Sequence, residues 1–201
     1  DKYPVEQVAT PEGYARNPEL VINFYNERRK QLLEVRPNDG HLGLAELEAD
    51  FNVTVVTQNI DNLHERAGSR RIIHLHGELT KVCSSRDPYN PHYIKELKPD
   101  EYEVKFGDKA GDGTQLRPFI VWFGEPVPEI ETAVNYVEKA DIFVIIGTSM
   151  NVYPAAGLLN YVPREAEVYL IDPKPVDVHS MRRIHVIQKG ASEGVRELRS
   201  L

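Results

Sequence analysis

Four short clusters in the sequence carry side chains fit for chemistry on a polar ligand. Thr57-Gln58-Asn59-Ile60-Asp61 packs two amides and a carboxylate into one short run. His74 and His76 stand two apart in His74-Leu75-His76-Gly77, and an imidazole is the side chain best suited to accept a proton near neutral pH. Gly147-Thr148-Ser149 joins a turn residue to small hydroxyls, a combination that leaves backbone N–H groups open to a phosphate at a helix N-terminus. Asp172-Pro173 offers an acid able to accept hydrogen bonds from a ribose. Each cluster also has a plainer use, as a βα turn, a cap or a pair of histidines of which one is buried and one solvated.

The clusters share one register of the chain. Residues 17 to 35 place apolar side chains at helical intervals, with Asn17 as N-cap and Pro18 in the first turn, where a missing N–H costs nothing. A second helix is expected from Asn38 towards Ala49. Short β-rich runs then alternate with helical ones: Val53 to Thr57, Ile60 to Ala67, Ile72 to Leu75. Residues 80 to 117 interrupt this with Asp87-Pro88, Asn90-Pro91, Gly107, Gly111 and Gly113, and predict a small inserted lobe. The rhythm resumes with strands at Phe119 to Phe123, Asp141 to Gly147, Glu167 to Ile171 and Ile184 to Gln188. Helices are expected at Pro128 to Lys139, Pro154 to Asn160 and from Ser192. Continuous apolar runs such as Ile142 to Ile146 fit a parallel sheet covered on both faces. The expected fold is therefore α/β, a Rossmann-like open parallel sheet, and all four clusters fall at its carboxyl edge, where such sheets bind ligands.

Composition narrows the class. The 201 residues hold 24 Lys+Arg against 31 Asp+Glu, a formal charge of −7. That balance argues against broad electrostatic binding to nucleic acid or to an anionic membrane. The single cysteine, Cys83, makes no internal disulfide and no four-cysteine metal site, so a reducing, cytoplasmic setting is the expectation.

The ordered set TQNIDNLHERAG at 57 to 68, HLHG at 74 to 77, RPFIVWFGEPVP at 117 to 128 and GTSMNVYPAA at 147 to 156 resembles the sirtuin family of NAD-dependent protein lysine deacylases. The resemblance runs from about Lys2 to the C-terminus, and residues 2 to 35 are similar to the helical module of bacterial sirtuins. It implies one catalytic domain over 1–201, with a helical module at 1–50, a small lobe at 80–117 and a Rossmann-like core at 51–79 and 118–201. It also implies a reaction in which the nicotinamide–ribose bond of NAD is cleaved while an acyl oxygen of acyl-lysine attacks the ribose. The products are nicotinamide, an acylated ADP-ribose and free lysine. The catalytic residues implied are His76, as the base on a ribose hydroxyl, and Asn59. Gln58 and Asn59 match the ribose-holding pair, Asp61 the acid of the nicotinamide pocket, and Gly147, Thr148 and Ser149 the phosphate and adenine-ribose stretch, with Val152 nearby. Asp172 stands where the family often has asparagine, and Gly190 and Ala191 match the late turn over adenine. Val121, Phe123 and Gly124 match the edge against which a substrate peptide adds as a strand. His64 recurs in the family and reads equally as a structural residue.

Tyr25 and Arg28 stand three apart on one helix, hence on one face. They match the Tyr-x-x-Arg pair of sirtuins that prefer succinyl and malonyl groups, where guanidinium and phenol clamp a carboxylate. A solvated ERRK helix face is the bland alternative. Two departures from the family follow. Where many sirtuins carry two Cys-x-x-Cys pairs, this lobe has Cys83-Ser84-Ser85-Arg86, so no zinc is expected. The family's opening strand, Gly-Ala-Gly turn and Phe-Arg loop find no match, so the chain is expected to begin just past them and, as it stands, to bind NAD weakly. The expected function is desuccinylation or demalonylation of acylated protein lysines, with acetyl as a further substrate. The alternatives are mono-ADP-ribosyl transfer and a non-catalytic NAD or ADP-ribose-binding module.

Overall fold

The computed structural model describes residues 2–147, 155–175 and 182–201. In chain order the first elements are α1 (Val5–Val8), α2 (Pro11–Arg16), α3 (Pro18–Leu32), α4 (Asp39–Glu46), β1 (Val55–Thr57), α5 (Leu63–Ala67), β2 (Ile72–His74) and β3 (Gly77–Ser84). There follow β4 (Lys95–Glu96), β5 (Leu116–Ile120), α6 (Ile130–Val137), β6 (Ile142–Ile146), α7 (Ala155–Leu158), β7 (Glu167–Ile171), β8 (His185–Ile187) and α8 (Ala191–Ser200). The chain divides into two compact units. One comprises Asp1–Arg36, Thr57–Asn62 and His74–Pro128; the other comprises Pro37–Val56, Leu63–Ile73 and Glu129–Leu201. Among the described residues no helix is long and apolar enough to cross a membrane.

The first unit is built on α3 and an antiparallel sheet of order β4-β3-β5. Asn17 caps α3 by accepting from Leu20 N, and Pro18 occupies the first turn, as the sequence predicts. The buried face of α3 carries Val21, Ile22, Tyr25 and Leu32, together with two polar residues, Asn26 and Arg29. Ile22 packs with Val82 and Val104. Asn26 donates to Val104 O at 2.8 Å and accepts from Val104 N at 2.9 Å. Arg29 donates from Nε to Leu79 O at 2.8 Å and from Nη1 to Asn26 Oδ1 at 2.7 Å and Tyr102 O at 3.1 Å. Burial lowers the Arg29 pKa to about 10, so the guanidinium keeps its charge at neutral pH and fixes a loop that has no ladder partner of its own.

β3 and β5 pair antiparallel with Gly77 opposite Ile120, Val82 opposite Pro118 and Ser84 opposite Leu116; a register irregularity falls between Gly77 and Val82. Pro118 is tolerated because β5 is an edge strand of this sheet. The 80–117 excursion does not begin as a separate insertion, since β3 runs into it from Gly77. At the end of β3, Ser84 Oγ donates to Asp112 Oδ2 at 2.5 Å and accepts from Arg86 N and Asp87 N at 3.1 and 3.0 Å. Ser85 Oγ donates to Gln115 O. Hydroxyl and carboxylate thus join the two ends of the excursion, while Cys83 is fully buried with its thiol 3.8 Å from Pro118 O.

The second unit centres on parallel strands in the order β6-β7-β8, in register from Ile142 opposite Glu167 to Ile146 opposite Ile171, and from Tyr169 opposite His185 to Ile171 opposite Ile187. Ile171, Ile187 and Val195 form its core with Leu44, Val144 and Leu198 around them. Asn38 and His41 form a reciprocal capping box on α4, which then tightens into a 3-10 turn at Leu47–Ala49. β6 departs from the expectation of a strand buried on both faces: it is an edge of this sheet among the described residues, and Ile142 is 46% exposed. The parallel ladders with intervening helices are the Rossmann-like α/β arrangement. β1 and β2 pair as a two-stranded sheet, Val55 N donating to Arg71 O and Leu75 N to Thr57 O, both at 2.9 Å.

Candidate active site

Within the first unit, three segments far apart in sequence are fastened to one another by main-chain bonds. Leu75 N donates to Thr57 O and Leu79 N to Ile60 O at 2.8 Å, which lays the 57–61 cluster alongside His76. His74 is buried with Nδ1 3.0 Å from Asn59 O, and Asn59 N is held by Thr57 Oγ1 at 3.0 Å. Val121 N donates to His76 O at 2.9 Å, which brings in the segment after β5. The main chains of the 57–61, 74–79 and 121 segments, which carry Gln58, Asn59, Asp61, His76 and Val121, therefore run side by side.

His76 is half-buried, unlike His74. Burial lowers its pKa from the ordinary 6.5, against a hydrogen bond with the Gln58 backbone that raises it. The imidazole is consequently neutral at pH 7 and ready to accept a proton. Gly77, next to it, sits at φ +88°, and a Cβ there would lie 2.2 Å from Phe119 O. Only glycine allows β5 to approach the histidine this closely.

Tyr25 is buried, and its hydroxyl is engaged on both sides: it donates to Val8 O at 2.9 Å and accepts from Trp122 Nε1 at 3.1 Å. Burial raises its pKa, while the Trp122 hydrogen bond and the nearby arginines, Arg28 among them, oppose the rise. Arg28 is half-buried with its guanidinium 4.9 Å from the centre of the Phe24 ring. The pair shares a helix face, but Tyr25 presents no spare proton in this arrangement.

The stretch from Val121 to Gly124 is not a strand, contrary to the expectation of Phe119 to Phe123; β5 stops at Ile120. The cause is Glu125. Its Oε1 accepts from Trp122 N at 2.9 Å, and its own N–H donates to Trp122 O at 3.0 Å, folding 122–125 into a turn. Phe123 N donates to Ala9 O at 3.1 Å, leaving the Phe123 ring 70% exposed, and Gly124 sits at φ +91°. Arg117 closes the arrangement with a bidentate pair, Nη1 to Oε2 at 3.0 Å and Nη2 to Oε1 at 3.1 Å. It also donates to Ile120 O at 2.8 Å and lies 3.7 Å from the centre of the Trp122 ring system. Sequence reasoning left Arg117 and Glu125 out of the site; an arginine and a glutamate eight residues apart, flanking the apolar run of one motif, were the available signal.

In the second unit, the candidates follow the carboxyl ends of successive parallel strands. Gly147, at φ +61° with open space around a Cβ position, follows β6, and its N–H donates to Ile171 O at 3.1 Å. Asp172 follows β7; its N–H donates to Ile187 O and its Oδ1 accepts from Lys174 N at 2.8 Å. Ala191 opens α8, with Gly190 as N-cap in extended conformation. Thr148, Ser149 and Val152 lie outside the described residues. His64 is buried with its ring 4.8 Å from that of His41, a packing role.

A family model described as "Sir2 family" matches residues 1–154. This chain belongs to the Sir2 family. Among similar Sir2 relatives, an NAD-dependent protein deacylase of Bacteroides thetaiotaomicron is 85% identical over 201 residues, all of this chain and 86% of its own length. One of Helicobacter pylori (strain ATCC 700392 / 26695) with the same name is 47% identical over 194 residues, 96% of this chain and 82% of its own. Of solved structures, a Sir2 homolog–NAD complex superposes with a TM-score of 0.80 at 34% identity, covering 99% of this chain and 79% of that one. An ADP ribose complex of a mutant Sir2 homologue gives 0.81 at 34% identity, covering all of this chain and 83% of that one.

Proposed function

We propose that this chain is an NAD-dependent protein lysine deacylase with a preference for acidic acyl groups. The observation that carries the reading is His76: a half-buried imidazole kept neutral by burial, tied by backbone bonds to the amide–carboxylate cluster on one side and the post-β5 segment on the other. The names of the Sir2 relatives support the same activity. The donor set fits NAD, since Asn59, Gln58 and Asp61 supply amide and carboxylate partners for ribose hydroxyls and a carboxamide beside a neutral base. NAD supplies the ribosyl centre that gives up nicotinamide and receives the acyl oxygen. His76 accepts the proton of a ribose hydroxyl, Gln58 and Asn59 orient that ribose, and Asp61 holds the carboxamide. Gly147, Asp172 and Ala191, with Thr148 and Ser149, serve the adenosine and phosphate end. The residues Val121, Phe123 and Gly124 serve the acylated lysine peptide.

Acyl preference rests on Arg28, which supplies a fixed positive charge, with Tyr25 joining only by giving up its bond to Val8 O. The test incubates the full gene product with NAD and matched acetyl-, succinyl- and malonyl-lysine peptides and weighs the products. NAD-dependent acyl loss, abolished by His76→Ala, supports the reading. Mass gain on protein supports ADP-ribosyl transfer instead, and no reaction despite NAD-dependent thermal stabilisation supports a binding module. A charge-assisted hydrogen bond contributes about 1.5–3 kcal/mol, so Arg28→Met should lower kcat/KM for succinyl peptide by about 10- to 150-fold while sparing acetyl peptide. Equal losses on both refute the carboxylate clamp.

A further inference from the structure

We infer that Glu125, gripped by Arg117, is a positioning residue that sets the backbone of Val121–Gly124 against the catalytic histidine segment. The inference rests on the deacylase reading for the claim that this backbone meets the substrate peptide. The positioning itself rests on bonds within one compact unit.

The Glu125 carboxylate takes four hydrogen bonds: one from Trp122 N, one from the Tyr89 hydroxyl at 3.1 Å, and two from Arg117. Both ionic side chains are largely withdrawn from water, Arg117 at 4% and Glu125 at 12% exposure. Burial works against the Glu125 charge, but Arg117, Trp122 and Tyr89 outweigh it and hold the carboxyl below its ordinary range. A buried pair is weak evidence for stability, since similar apolar groups often do as well, so its geometry is the informative part. That geometry binds the turn at every point. Glu125 fixes Trp122 N, Arg117 fixes Ile120 O and stacks on the Trp122 indole, and the indole N–H reaches the Tyr25 hydroxyl. The turn so fixed is the one whose Val121 N–H reaches His76 O. One carboxylate therefore sets the post-β5 backbone relative to the base and also the phenol of the proposed acyl clamp.

A residue that merely held the fold together would lower the folded fraction and every kinetic parameter with it. A positioning residue for the peptide edge raises KM for the acylated peptide selectively. The experiment uses the full gene product with Glu125→Ala, Glu125→Gln and Tyr89→Phe, varying NAD and succinyl-lysine peptide separately. Amide hydrogen exchange is followed over 118–125. Misplacement of about 1 Å costs up to about 10²-fold, so Glu125→Ala is expected to raise peptide KM by roughly tenfold, with kcat and NAD KM within about threefold. Glu125→Gln, which keeps an acceptor for Trp122 N and Tyr89, should restore most of the loss. Tyr89→Phe, which leaves the ion pair in place, should give a smaller rise in the same direction and serves if Glu125→Ala does not fold. Exchange at Val121 to Glu125 should quicken in the same order. Unchanged peptide KM in both Glu125→Ala and Tyr89→Phe, or kcat falling in step with folded fraction, overturns the inference. If the wild-type protein turns over no acyl peptide, the deacylase reading fails. Exchange at 121–125 in Glu125→Ala and Tyr89→Phe then decides the positioning alone, and an unchanged rate in both refutes it.

Discussion

Gly77→Ala is the perturbation whose consequence the structure fixes most closely. A Cβ at this position would stand 2.2 Å from Phe119 O and 2.9 Å from Ile120 Cα, both backbone atoms that no rotamer change can move aside. The native φ of +88° adds strain, about 1–2 kcal/mol for a residue with a Cβ. Relieving the clash separates β5 from the start of β3, with overpacking worth about 1–3 kcal/mol and about 1 kcal/mol more for a lost main-chain hydrogen bond. Together these give a destabilisation of about 3–6 kcal/mol. With a urea m-value of about 2 kcal/mol/M, the unfolding midpoint should fall by about 1.5–3 M. The displacement also falls on the peptide joined to His76, so kcat should drop by about 10²-fold at temperatures where the variant is still folded. Chemical unfolding followed by fluorescence of the single tryptophan, Trp122, together with deacylation rates, measures both. A midpoint within about 0.5 M of wild type with unchanged kcat would refute the claim that β5 and the histidine segment are in rigid backbone contact.

Two further outcomes follow from the same geometry. Because burial lowers the His76 pKa from its ordinary value, the acid limb of kcat/KM should have its midpoint below that of a free imidazole, about 6.5; a midpoint above about 6.5 contradicts that. The unfolded chain, with the ordinary value, binds this proton first, so the same group makes folded stability decline as pH drops below 6.5. Ser84→Ala removes the acceptor for Arg86 N and Asp87 N and the donor to Asp112. With those two N–H groups left to solvent, amide exchange at Arg86 and Asp87 should quicken several-fold; protection equal to wild type would show that other bonds hold the excursion closed.

Elements whose signals are local were readable from the chain. Asn17-Pro18 and Asn38 begin helices where cap chemistry requires, and Glu167–Ile171 is bounded as its apolar run suggests. Within the second unit the positions of Gly147 and Asp172 were readable too, because each follows a parallel strand, β6 and β7. What escaped depends on partners far away in sequence. Asn26 and Arg29 look like solvated helix residues until the loop 78 residues on is known to dock on them. The end of β5 was misplaced because nothing in an apolar run of VWF announces that a later carboxylate will take its backbone N–H. The Tyr25–Arg28 pair was legible as spacing, but the commitment of the phenol to Val8 O was not.

Cys83 has a practical consequence. It is the only thiol in the chain, has no exposed surface, and burial pushes its pKa up to about 12. Reactivity belongs to the exposed thiolate, so maleimides and mild oxidants should leave the native protein untouched. The wild-type background is thus already silent for single-cysteine chemistry. A cysteine introduced at exposed Phe123 would be the sole site to accept a fluorophore or spin probe, reporting directly on the turn that Glu125 holds.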